Sequence, residues 1–452
     1  MTTSVRPLPG PPREYHFPRF ERRVLANGLN VIVAPVRKLP VVSVAIVVDA
    51  TAIDDPVGLE GLADLTAQAL REGTTSRDGM KLALDLEKLG TSVEAGAGWD
   101  NTVASMTVLT DKLEPAFKLF AEVMLSPRFD EADIARLRAE RLAERMQIMA
   151  EPRGLAEESF SRFVYTAESR YAEPMSGNTG SISQISRQDV SDFYSRTYVP
   201  GRATLLIVGD VSVDQGVALA EAAFGSWKGT RAADVRTADK PARKTRSVQI
   251  VAKPDAAQSE LRIGHVGLSR SHPDYFDIVV MNAVLGGLFS SRINLNLREA
   301  HGYTYGASSY YDWRRQAGPF VISTAVQSEV TGEAIQETLK EITRMQSEEI
   351  GEDELTLATS YLAGVFPIRY ETTASIASAL VNLVTYGLPE TYYDTYRAKI
   401  AGVTTASVLS AARNHVKADE LQVVVVGNPE IIKAPVEAIG LGQLEVREVA
   451  DA

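Results

Sequence analysis

Arg298 and Tyr305 stand seven residues apart in the stretch LGGLFSSRINLNLREAHGYTYGA, residues 285–307. An arginine offers a rigid fork of N–H donors that can grip a peptide carbonyl or carboxylate, and a tyrosine hydroxyl can donate to a developing oxyanion. Leu288, Ile293, Leu295 and Leu297, with caps at Ser290 and Ser291, predict a turn at Gly286 and Gly287 and then a helix ending at Gly302. A strand is expected over 303–307, so the helix end and the strand start would direct Arg298 and Tyr305 towards one cleft. His301 and Tyr303 lie between them, and two-residue alternation puts Tyr303 and Tyr305 on one face unless a bulge intervenes. A plainer arrangement fits the same residues: Arg298 paired with a neighbouring carboxylate and Tyr305 half-buried on a strand. Gly286 and Gly287 belong to neither G-x-x-x-x-G-K-[ST] nor G-x-G-x-x-G, so they are not expected to cradle a nucleotide.

Little else in the chain has the composition of a reactive site. There is no cysteine, which excludes disulfides, thiolate chemistry and every cysteine-based metal site. The five histidines, His16, His265, His272, His301 and His415, are scattered, with no pair at helical ligand spacing. Each except His301 reads as a surface or turn residue. A formal charge of −11 without a basic stripe excludes nucleic acid as an expected partner. The longest apolar run, Val41 to Ala50, is interrupted by Ser43 and Asp49 and is about half a membrane span. The N-terminus lacks the apolar core of a signal peptide, so the expected location is cytoplasmic, or periplasmic if a leader has been removed.

The elements that must position these residues come in two sets. Residues 185–210 and 403–428 each read as a capped amphipathic helix, a turn, and an apolar strand running into Gly-Asp or Gly-Asn. Upstream in each half lie a helix and glycine-started strand (86–96; 297–307), an extended segment (101–110; 319–328) and a long charged helix (about 112–125; 330–347). The matching order predicts an α+β fold built by duplicating a unit of about 200 residues. Residues 226–247 lose hydrophobic periodicity and read as a solvated linker between an N-terminal domain, 1–225, and a C-terminal domain, 248–452. One large domain with a surface loop at that place is the alternative.

Residues 61–74, GLADLTAQALREGT, form an apolar-periodic helix that runs into a glycine-containing turn. The stretch resembles the zinc helix of the pitrilysin and mitochondrial-processing-peptidase family, whose pattern is Gly-Leu-Ala, H-x-x-E-H, a short apolar stretch and Gly-Thr. In that motif two histidines four apart hold zinc and the glutamate activates the bound water. Here the histidine positions are Asp64 and Gln68 and the glutamate position is Ala67. The family's third ligand falls by spacing on Glu144, within ARLRAERLAERMQIM. A weak magnesium or calcium site of Asp64, Gln68 and Glu144 is conceivable, but no general base accompanies it.

The segment around Arg298 and Tyr305 is similar to the second-half motif of the same family, in which an Arg and a Tyr at this separation complete the active site from the domain opposite the zinc. The resemblance spans almost the whole chain, including the opening strands ERRVLANGLNVIVAPV and VVSVAIVVDA. It implies two domains of one fold, each a mainly antiparallel sheet with helices packed on one face. It further implies a zinc-free subunit, inactive alone, whose homologous partner carries H-x-x-E-H and the zinc. Together the pair would cleave peptides or unfolded segments, with no metal or other cofactor in this chain. Gly286, Gly287, His301 and Tyr303 would lie along the substrate channel, where the glycine loop is much shorter than in the mitochondrial non-catalytic subunit. Two other roles fit such a chain: a structural subunit like the core proteins of respiratory complexes, or a peptide-binding protein that needs no partner.

Overall fold

A computed structural model describes residues 14–230 and 238–449. Each half builds a six-stranded sheet. From one edge to the other the first runs Glu21–Val24, Asn30–Pro35, Ala203–Gly209, Val41–Val48, Thr102–Leu109, Glu94–Ala97. The second runs Gln443–Glu448, Ser247–Ala252, Gln422–Gly427, Gln258–Val266, Pro319–Gln327, Ala307–Tyr311. The two orders match strand for strand, as duplication requires. Asn30–Pro35 pairs in parallel with Ala203–Gly209, and Ser247–Ala252 in parallel with Gln422–Gly427. The sheets differ at one edge, where Glu21–Val24 arrives antiparallel from the N-terminal side and Gln443–Glu448 parallel from the C-terminal side. Most pairings are antiparallel.

The repeated segments fold alike for a local reason. Ser186 caps helix Arg187–Thr197 by accepting from the Asp189 amide, and Thr404 caps Thr405–His415 by accepting from the Ser407 amide. Each cap satisfies amides that the first turn leaves without a partner. The apolar strand that follows, Ala203–Gly209 or Gln422–Gly427, is buried throughout and becomes a central strand of its sheet. The apolar stretch Tyr275–Ala300 has the length and composition of a membrane span, yet it is broken at 288–291 and packs in the core of the second half.

Successive strand residues face opposite sides, so a strand that is buried throughout needs cover on both. In the first sheet Val31, Val33, Val44, Ile46, Leu205 and Ile207 face the helices of their own half. Ile32, Ala34, Ala45, Val47, Leu206 and Val208 face the other way and join the core of the second half, against helix Thr373–Thr385. The second sheet is treated reciprocally. Its outer face, including Val251, Val321, Val424 and Val426, is covered by Leu155, Phe160 and Phe163 of helix Pro152–Val164, which belongs to the first half. Each half therefore packs its own helices on one face and receives a helix from the other half on the opposite face.

Polar contacts fix this exchange in register. Arg262 on the second sheet is 1% exposed and pairs with Glu157 of the crossing helix at 2.8 Å and with Glu260 at 2.9 Å. On the other side Ser43 and Thr373 share a hydrogen bond of 2.8 Å, and Arg315 binds Asp49 at 2.6 Å. Of the stretch 226–247, residues 231–237 lie outside the described residues. Most of its remainder is exposed or partly exposed, yet it is tied down at points. The Lys240 carbonyl accepts from the Thr166 amide and the Ala242 amide donates to Val164, which ties the stretch to the end of the crossing helix, while Ala238 and Trp227 are buried.

Because both halves share these two cores, urea unfolding followed by fluorescence and by circular dichroism should give one coincident transition. Phe160→Ala should lower the stability of the whole by about 3–5 kcal/mol. Two separated transitions, with only one moved by the substitution, would contradict the interlock.

Candidate functional site

The helix Leu62–Ala69 is firmly anchored at its N-terminus. Asp55, buried, accepts from the amides of Gly61 and Ala63 at 2.8 Å each and from Arg170 at 2.9 Å, which anchors the helix N-terminus. Gly61 takes φ +98° beside the Ser176 carbonyl, a position where a side chain would be strained and would also collide. The long helix Glu131–Ala150 packs across Leu62–Ala69. Buried Arg145 pairs that long helix with Glu158 of the crossing helix. The scaffold thus ties the first-half site to the interlock.

The residues at the degenerate positions do meet in space. Arg141, one turn before Glu144, donates through Nη2 to Asp64 at 2.5 Å and through Nη1 to Glu144 at 2.7 Å. Gln68 donates its amide to the same Asp64 oxygen at 3.3 Å, and Ala67 is fully buried against the core. A guanidinium therefore bridges the two carboxylates. Burial is the largest influence on Asp64 and raises its pKa, and Arg141 offsets part of that.

This donor set does not fit zinc. It offers no imidazole, Ala67 supplies nothing, Gln68 presents a donor to Asp64, and a guanidinium already occupies the space between the two carboxylates. Arg141 was not singled out from the sequence, although its spacing of three from Glu144 on a helix is the pattern of an ion pair.

In the second half a helix spans 292–300, and His301 ends it ahead of Gly302 at φ +67°. Residues 295–300 form a wider π turn, and so do 283–287 at the end of helix Tyr275–Asn282. Such turns recur at functional sites. The strand expected over 303–307 begins instead at Ala307. The segment between is held by Tyr303 N–H to Leu297 O at 2.8 Å and by Thr304 bridging the Gly306 amide and carbonyl at 3.0 Å each. Strand alternation therefore does not govern the two tyrosines. Tyr303 is partly buried and stacks on His301 at 4.9 Å, whereas Tyr305 is 92% exposed.

Arg298 lies 4.6 Å over the ring of exposed Phe289 and pairs with Glu299 at 3.2 Å. Half of the plainer arrangement thus exists, the carboxylate partner of Arg298, while Tyr305 is not half-buried. Gly286 is buried where any Cβ would collide with Ser309, so its role is close packing against strand Ala307–Tyr311. Gly287 is exposed and lines a cavity of about 290 Å³ with Tyr275, Tyr310, Trp313, Tyr361 and Arg369.

Among the histidines, His16 is exposed and His272 lies in a turn, as expected, whereas His265 departs from expectation. His265 is in the core: strand register sets it opposite Phe320, its Nδ1–H donates to Val266 O at 2.9 Å and its Nε2 accepts from Lys417 N–H at 3.0 Å. Burial pushes its pKa down to about 4. His272 and His415, 143 residues apart, lie with ring centroids 4.8 Å from one another, and His415 Nε2 is 2.7 Å from Asp274. No sequence spacing could reveal that pair, because the tertiary fold alone brings a turn onto a helix end.

Comparison with known proteins supplies the frame for this geometry. Residues 31–173 match the family model described as insulinase (peptidase family M16), and residues 184–362 match the one described as peptidase M16 inactive domain. An uncharacterized zinc protease of Bacillus subtilis is 23% identical over 79% of this chain and 86% of its own. One of Mycobacterium leprae is 25% identical over 83% of each. Among solved structures, a peptidase M16 inactive domain from Pseudomonas fluorescens superposes with a TM-score of 0.85 at 28% identity, covering 91% of this chain and 98% of that one. A Helicobacter pylori protease shares the fold at a TM-score of 0.85 and 19% identity, covering 91% of this chain and 100% of that one.

Arg141→Met should leave Asp64 buried without its cation and cost about 3 kcal/mol at pH 7, with the loss shrinking as acid protonates Asp64. Adding Asp64→Asn should restore most of it, and additive losses in that double-mutant cycle would deny the coupling. His265, whose pKa is depressed, contributes stability that is present above about pH 6.5 and lost as pH falls towards about 4, roughly 3 kcal/mol in all. Urea titrations at pH 7.5, 5.5 and 4.5 should show this drop in the native chain and a flatter profile in His265→Gln.

Proposed function

The chain belongs to peptidase family M16, and we propose that it serves there as the zinc-free subunit that binds peptide and completes an active site whose metal is carried by a homologous chain. The observation that carries this reading is the Arg141 guanidinium bridged between Asp64 and Glu144. A half-site whose two carboxylates already hold a guanidinium between them is a poor place for a metal, and it has neither histidines nor a general base with which to activate water. The zinc and the base would come from the partner's H-x-x-E-H helix.

This chain's contribution would come from Arg298 and Tyr305. The Arg298 fork would orient a substrate carbonyl or carboxylate, exchanging its contact with Glu299 for the ligand. Tyr305, exposed at the turn before Ala307–Tyr311, has its hydroxyl free to donate to the oxygen on which charge develops as water attacks. An extended peptide would pair by its main chain with an open sheet edge, such as Glu94–Ala97 or Ala307–Tyr311, which tolerates varied sequence.

The test is to purify the chain with and without a homologous H-x-x-E-H subunit and to assay cleavage of an unstructured peptide in zinc. The mixture should be active and this chain alone inactive. Tyr305→Phe should lower kcat about 100-fold, and Arg298→Ala should lower kcat/KM comparably, with assembly unchanged by size-exclusion chromatography. Cleavage by this chain alone would refute the division of labour. Assembly without cleavage would favour a structural subunit, and peptide binding with no partner would favour an independent peptide-binding protein.

A further inference from the structure

The geometry points to a divalent transition-metal site of the zinc class in the second half, formed by His272, Asp274 and His415. One donor atom from each lies within 4.8 Å of the other two. Two imidazoles and one carboxylate make a ligand set suited to zinc, with a fourth position left for water.

Three features distinguish this cluster from an incidental contact. Its members come from two elements, the turn before helix Tyr275–Asn282 and the last residue of helix Thr405–His415, which pack against each other. A metal would therefore staple distant parts of the chain. Asp274 occupies the N-cap position of its helix, where a carboxylate ordinarily accepts from the first-turn amides, yet its side chain makes no capping bond and turns to His415. The cluster is also half-buried, so its donors are partly shielded from water.

Metal-free, the cluster is held by hydrogen bonds that a cation can replace. His415 Nε2 and Asp274 Oδ2 share a proton at 2.7 Å, and the Asp274 amide makes a long 3.2 Å bond to His272 Nδ1. A metal takes the place of that shared proton, whose imidazole shifts to its other tautomer, and draws in the His272 ring. In the first half, by contrast, the Arg141 guanidinium already lies between the carboxylates. The metal would be a brace. It would fix the start of the helix that carries Tyr275 into the aromatic cavity, and its role does not depend on the partner chain of the preceding section.

The full chain, stripped with chelator, should be titrated with zinc chloride in competition with a chromophoric chelator, and with cobalt chloride to read the d–d absorption of an imidazole-ligated ion. One equivalent should bind with micromolar or tighter affinity and raise the melting temperature. His272→Gln, His415→Gln and Asp274→Asn should each weaken binding at least about tenfold and abolish the zinc-dependent rise, with circular dichroism unchanged. Glu144→Gln and Asp64→Asn should leave binding intact. Absence of a stoichiometric site, or binding lost in Glu144→Gln and retained in His415→Gln, would overturn the assignment. If one variant fails to fold, the cobalt spectrum of the other two decides.

Discussion

Both sheets present apolar side chains on two faces, and a sheet of that kind cannot stand in water with one face bare. The duplicated unit carries enough helices to cover only one face of its own sheet. The solution is an exchange. Helix Pro152–Val164 crosses to the second sheet, and helix Thr373–Thr385 crosses to the first. An ion pair and a hydroxyl contact set the register of the two crossings, buried Arg262 with exposed Glu157 and Ser43 with Thr373. The halves are thereby committed to one relative arrangement, and the placement of everything on them follows.

The crossing helix is continuous with the first-half site. The long helix Glu131–Ala150 carries Arg141 and Glu144 and, immediately after Glu144, Arg145 paired with Glu158 of the crossing helix. On the opposite side Asp55 pins the N-terminus of Leu62–Ala69 through two amides and Arg170. The two helices are therefore held from both sides, and a single internal cation lies between their carboxylates. Such an arrangement is physically economical: a buried carboxylate must be either neutral or paired, and arginine, always charged, pairs it at every physiological pH.

The second half is organised differently. Its Arg298 and Tyr305 lie on a widened helical turn and an irregular link, both supported from below by regular structure. Asn294 accepts from the Ala307 amide, and Thr324 reaches the Gly306 carbonyl. Gly286 permits the preceding helix to approach Ser309 closely. The backbone is thus well held where Tyr305 is left open to solvent, an arrangement suited to meeting a ligand that arrives from outside.

Much was legible in the chain itself. Local rules of capping, periodicity and glycine placement were enough to place the repeated helix–strand units, the end of the helix at Gly302 and the duplicated α+β plan, because such signals act over a few residues. Family spacing pointed from Asp64 and Gln68 to Glu144, and in the fold Arg141 links Asp64 with Glu144. The start of the strand at Ala307, the burial of His265, the bridging guanidinium of Arg141 and the meeting of His272 with His415 were decided only by the tertiary structure. The last three depend on which segments, 77 to 152 positions apart, meet in the fold. Contacts between residues a hundred or more positions apart leave no periodic trace in a single chain.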